Sequence, residues 1–130
     1  MTKNEQGFIT SLEENEYFVF GSNTAGRHGA GAALQAKQQF GAEYGVGVGP
    51  TGQCFAFPTL DDRLQKLPVM ELVAYREFFR HYAFEHPELT FYVTKLGCGL
   101  AGFPEALMRW VLIEGASDPM PRNVIMPEGW

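Results

Sequence analysis

Two glycine-dense segments are the parts of this chain best suited to chemistry. Gly26-Arg27-His28-Gly29-Ala30-Gly31 and Gly97-Cys98-Gly99-Leu100-Ala101-Gly102 each follow an apolar, strand-like run and each precede a helix-like one. Without a Cβ in the way, main-chain N–H groups can come close to an anion. A helix that follows adds its free N–H groups and the positive end of its dipole. Phosphate or diphosphate is the ligand class such loops suit. Arg27 offers a cation that can pair with a diphosphate or stand in solvent, and His28 an imidazole that can act as acid or base near neutral pH or pack. Asn23 closes the run before the first loop, with an amide able to bond sugar hydroxyls, orient a water, or simply hold a turn.

The elements that must position these loops are read from pattern. Phe8-Ile9-Thr10 is a short strand candidate, and Tyr17-Phe18-Val19-Phe20, four aromatic or β-branched residues in a row, suits a strand buried on both faces before Gly21-Ser22-Asn23. Helix formers run from about Gly29 to Phe40, with Gly41 placed to stop them. Tyr44 to Gly52 is punctuated by glycine and reads as a turn, Gln53 to Phe57 as a strand closed by Pro58, and Asp61 to Lys66 as polar loop. Pro68 suits a first helical position, ahead of Val69, Leu72, Val73, Phe79 and Ala83 on one helical face. Leu89 to Thr94 is a strand leading into the second loop, Pro104 opens a helix to about Ile113, and Asn123 to Met126 is a last strand. This alternation predicts a mostly parallel or mixed central sheet covered by helices, with ligands bound beyond the carboxyl ends of its strands.

The 130 residues suit one domain, 1–130, and 45% apolar with 19% charged residues describes a globular protein. The net charge of -5 argues against a duplex nucleic acid partner. There is no leader pattern and no apolar stretch approaching the ~20 residues that span a bilayer, so no membrane association is expected and the cytoplasm is the default compartment. Cys54 and Cys98 fall in different elements without metal-ligand spacing, and both are expected to be free thiols. His81 and His86, five apart, are poorly spaced for a helical metal pair, so neither a metal nor a cofactor is expected. Tyr75, Phe78, Phe79, Tyr82 and Phe84 read as core packing rather than a platform for single strands. Trp130 is either a packed terminus or a free end.

The second loop matches Gly-x-Gly-x-x-Gly literally, but a dinucleotide fold wants an acidic residue closing a further strand, and Asp118 precedes Pro119 with twelve residues left. Neither loop ends in the Gly-Lys-Ser or Gly-Lys-Thr of a P-loop.

Taken in order, several segments resemble those of macrodomains, the ADP-ribose-binding α/β modules. Val19-Phe20-Gly21-Ser22-Asn23 looks like the strand that delivers the family's ribose-facing asparagine. His28-Gly29-Ala30-Gly31-Ala32-Ala33 is similar to its first phosphate loop. Val93 to Pro104, with Gly97-Cys98-Gly99-Leu100-Ala101-Gly102-Phe103-Pro104, looks like its second. The resemblance spans most of Tyr17 to Leu107, its specific part about thirty residues. It departs at Gly7-Phe8-Ile9, where many macrodomains carry an aspartate for adenine; Phe8, Glu13, Glu14 or Glu16 would have to serve instead. It departs again at Ala101, where one hydrolase branch has an aspartate.

The resemblance implies a three-layer α/β/α fold and a ligand, ADP-ribose or an ADP-ribosylated substrate, lying between the loops. Gly21, Ser22, Asn23, Arg27, Gly29, Ala30, Gly31 and Gly97 through Phe103 would bind it, with Phe103 stacking on it or packing in the core. Hydrolysis of an ADP-ribosyl linkage would fall to Asn23 and His28. The alternatives are a module that sequesters another nucleotide-derived signal and a scaffold whose glycine loops serve folding alone.

Overall fold

Residues 1–115 and 118–130 are described by the computed structural model. Five strands form a mixed sheet: β3 (Glu16–Asn23), β4 (Gly49–Thr51), β5 (Cys54–Leu60), β6 (Thr90–Val93) and β7 (Val124–Ile125), in spatial order β4-β5-β3-β6-β7. β3 is central and parallel to β5 on one side and β6 on the other; β7 is parallel to β6, and only β4 runs antiparallel. Three helices accompany it: α1 (Gly31–Gln39), α2 (Val69–Glu85) and α3 (Glu105–Arg109), the last continuing as a π-helical turn over Trp110–Glu114.

Strand periodicity explains how both faces are filled. Phe18 and Phe20 of β3 point with Cys54 and Ala56 of β5 toward Ala36 and Phe40. Val19 points the other way, with Phe55, Phe57, Phe91 and Val93, toward Leu72, Phe79, Ala83, Met108 and Leu112. The connection through α1 runs from β3 to β5, whereas α2 carries the chain back past β3 to β6. Right-handed crossovers in opposite directions put their helices on opposite faces, as the two clusters show.

Several boundaries differ from the sequence reading. β5 continues through Pro58, which pairs with Ser22 but lies beyond the reach of β4, where the strand has an open edge and a missing N–H is tolerated. The stretch read as turn from Tyr44 to Gly52 contains β4, whose pairing with β5 is imposed by its neighbour rather than by its own composition. Gly21, Ser22 and Asn23 belong to β3 itself. The strand near Ile9 is β2 (Ile9–Ser11), which pairs with β1 (Thr2–Lys3) in a separate two-stranded sheet. Helix α1 begins at Gly31 after an extended Ala30 with φ -158°, so Gly29 lies in the loop. Pro68 precedes the helical dihedrals of α2 by one residue. Phe78 and Phe84 are exposed at 45% and 69%, whereas Phe79 is fully buried, so the expected aromatic core is partial. Trp130 is a packed terminus, its Nε1 donating to Glu105 Oε1 at 2.9 Å.

Candidate functional site

The chain leaves β3 toward β5 and leaves β6 toward β7. Between these neighbouring parallel strands the connections diverge, and at their carboxyl ends such a sheet has the place where a crevice is expected. Both glycine loops emerge there. A Cβ on Gly21 would lie 3.1 Å from the N of Gly97, and one on Gly31 would lie 3.8 Å from Leu100 Cδ1. The loops therefore lie close at their bases, and the start of α1 lies near the Leu100 side chain of the second loop.

The first loop is shaped by Asn23. Its Oδ1 accepts the Arg27 N–H at 3.0 Å and its Nδ2 donates to the Arg27 carbonyl at 2.9 Å, so both ends of the amide hold the turn. Ser22 Oγ donates to the Gly47 carbonyl at 2.5 Å beneath it. His28 is 1% exposed, edge-on to Phe20, with Nε2 3.1 Å from the Glu43 carbonyl and Nδ1 without a hydrogen-bond partner among the described residues. Burial is the main reason its pKa falls below 6.5. Asn23 and His28, the expected catalytic pair, thus sit under the loop as its supports. Arg27 is exposed and its guanidinium donates to the Asp62 carbonyl.

In the second loop, Gly97 has φ +80° and is enclosed, a Cβ there meeting Met108 Sδ and Phe103 Cδ2 at 3.2 Å. Phe103 is 7% exposed and packs in the core. Cys98 is half-buried, and burial, followed by the Glu105 charge, pushes its thiol up rather than activating it. Leu100 is 82% exposed. Gly102 has φ +77°.

Gly29 and Gly99 behave differently from these. Neither has a positive φ, both are exposed, and a Cβ on either would find no other described atom within 4 Å. No feature of the fold requires glycine at these two places, one in each loop. Around them the N–H groups of Gly29 and Ala30, and of Gly99, Leu100 and Ala101, donate to no acceptor among the described residues. The first turn of α1 has neither a side-chain cap nor an acidic residue. Donors of both loops are therefore open to an acceptor from outside the chain.

Lys66, at the end of a polar loop, stands beside the second glycine loop. The Asp61–Lys66 loop leaves β5, the third parallel strand of the group. Lys66 Nζ lies 5.6 Å from the Phe103 ring centroid and 3.6 Å from where a Gly102 Cβ would be. The signal that would have found it is topological: every parallel strand opens its loop on the same edge, but ending the strand at Pro58 hid that β5 reaches this one.

Other expected contributors lie elsewhere. Glu16 begins β3, about 23 Å from Asn23 at ~3.3 Å per residue, and pairs with the N-terminal amine. It cannot serve as the adenine acid. Phe8 is 64% exposed in the turn before β2. The Asp118 carbonyl accepts Arg76 Nη2 at 2.7 Å, a structural bond. Among the described residues no cluster of three His, Cys, Asp or Glu side chains could hold a metal, and no helix is long and apolar enough to cross a membrane. One depression of about 230 Å³ is walled by Leu112, Met120, Met126 and Trp130, and another of about 360 Å³ by Phe84, Pro87 and Arg122. Neither borders a glycine loop, and both have mainly apolar walls. No family model, curated protein or solved structure matches the chain.

Proposed function

We propose that this protein binds ADP-ribose or a related ADP-ribosyl nucleotide, with the diphosphate lying across Gly29 and Gly99. The observation that carries the reading is the pair of glycines that fold and packing leave unexplained, on loops that meet at the point where the sheet's connections diverge. A β-carbon at either would occupy the space an oxyanion needs to reach the N–H groups beside it. The nucleotide's identity rests on the resemblance of Val19 to Asn23, His28 to Ala33 and Val93 to Pro104 to macrodomain segments. With it goes the finer view of the fold, a macrodomain-like three-layer arrangement with α1 on one face of the sheet and α2 and α3 on the other.

The reading is of a binder rather than a hydrolase. Water attack on the distal ribose carbon needs a group to orient or deprotonate the water. Asn23 has both amide ends on the Arg27 main chain, and the His28 ring is buried with its proton affinity reduced.

Titration calorimetry and thermal melting with ADP-ribose test this. Binding heat is expected, and a ligand at about a hundred times its Kd is expected to add about 2.7 kcal/mol of stability. Neither heat nor a melting shift at millimolar ligand would remove the proposal. Gly99→Val is expected to abolish binding with a change in stability of no more than about 0.5 kcal/mol, since its side chain enters open space. Retained affinity in that folded variant would place the ligand elsewhere. Incubation with ADP-ribosylated protein is expected to release no free ADP-ribose.

A further inference from the structure

We propose that Lys66, carried by the loop after β5, is the residue that makes the site select ligands by the number of their phosphate groups, favouring a diphosphate over a monophosphate or an uncharged nucleoside. The inference deepens the reading above and rests on it for the location of the ligand.

The unpaired N–H groups of the two glycine loops supply directional donors but no full charge. Two exposed cations without a carboxylate partner among the described residues flank them. Arg27 stands in the first loop, held by the Asp62 carbonyl, and Lys66 stands against Gly102 at the exit of the second. Lys66 forms no ion pair with a carboxylate among the described residues, whereas Lys95 beside the same loop is paired with Glu105 at 3.4 Å. Of the carboxylates near Lys66 in sequence, Asp61 Oδ1 accepts the N–H groups of Arg63 and Gln65 and so shapes the loop, while Asp62 meets Arg27 through its main-chain carbonyl only.

The loop also anchors the Lys66 main chain at the edge where the ammonium is found. Leu60 pairs with Lys66 across the loop, Leu67 N–H donates to the Thr59 carbonyl at 3.0 Å, and Leu64 takes the left-handed conformation, with φ 62°, that turns the chain. The Lys66 main chain is thus tied to the end of β5, and its ammonium lies over the Phe103 ring. In a chain of net charge -5, an unpaired lysine anchored beside free backbone donors is placed to meet an anion. One cation at each loop matches the two separate phosphate groups of a diphosphate better than a monophosphate, which gathers its charge of about -1.5 to -2 on a single group.

The test compares wild type, Lys66→Gln and Lys66→Arg against ADP-ribose, AMP, adenosine and inorganic pyrophosphate, with melting temperature as the check on folding. Charge-assisted hydrogen bonds of this kind correspond to about ten- to a hundred-fold in affinity. Lys66→Gln is expected to lose that much for ADP-ribose and pyrophosphate, less for AMP, and less than about twofold for adenosine. Lys66→Arg is expected to restore most of the loss, and raised salt to weaken wild type more than Lys66→Gln. Unchanged ADP-ribose affinity in Lys66→Gln, or an equal loss for adenosine, overturns the inference. The two proposals fail separately. If wild type binds pyrophosphate but not ADP-ribose, the nucleotide reading falls, while loss of pyrophosphate in Lys66→Gln still sustains the role of Lys66. If wild type binds neither, both fall.

Discussion

His28 shows how one buried ring connects the loop to pH. Burial lowers its pKa from the usual 6.5, so the folded protein keeps the ring neutral where the unfolded chain begins to take up a proton. Its contribution is therefore complete above pH 6.5 and lost as pH falls from there through the lowered folded value. Glu16 and Glu77 have carboxyls held below their usual 4.5, Glu16 chiefly by the N-terminal amine and Glu77 chiefly by Arg80. Their contributions are lost only at more acid pH, which separates the two windows. Urea unfolding between pH 7 and 5 is expected to show stability falling with pH in wild type and falling less steeply in His28→Gln. The difference in slope should be at most about 1.4 kcal/mol per pH unit. Parallel slopes would mean that the ring does not stay neutral in the fold. The sequence placed His28 beside the glycines but left open whether it packs or reacts, because its neighbours in space, Phe20 and the Glu43 carbonyl, lie eight and fifteen positions away.

Among the elements, α2 ends with no basic residue in its last turn. Its final carbonyls are instead met by Asn123, whose Nδ2 lies 3.0 Å from each of the Ala83, His86 and Leu89 carbonyls and so ties the end of α2 and the start of β6 to the approach to β7. Asn123→Ala is expected to cost about 1–3 kcal/mol by chemical denaturation, since it strands partly buried acceptors, while leaving ligand affinity at the far end of the sheet unchanged. A loss below about 0.5 kcal/mol would mean that water replaces the amide without penalty. No local pattern announces such a residue, and Arg76 was equally silent: its guanidinium is fully buried because carbonyls of Leu112 and Asp118 receive it from 36 and 42 residues along the chain. What the sequence did carry was periodicity. The runs around Phe18, Phe55 and Phe91 gave three of the four parallel strands, and Leu72, Phe79 and Ala83 most of the buried stripe of α2. β4 was illegible because Gly49 and Pro50 are disfavoured in strands and the segment pairs with β5 alone.

At the scale of the whole molecule, strand order was the missing quantity. Letters alone could place each glycine loop after a strand, but only the pairing of β3 with β6 brings the two together. The same sheet hides Cys54, fully buried between β5 and α1, with burial pushing its thiol up to about 12. In native protein at pH 8, a maleimide or disulfide reagent is expected to modify Cys98 and to spare Cys54 until the denaturant concentration of global unfolding. Early labelling of Cys54 would reveal that α1 detaches from the sheet on its own.

The outermost strands of that sheet are three and two residues long, and the longer one carries Pro50. A second chain laid alongside either margin would find two or three rungs at most before the template ran out. A core this rich in phenylalanine therefore ends in borders too brief to seed a fibril.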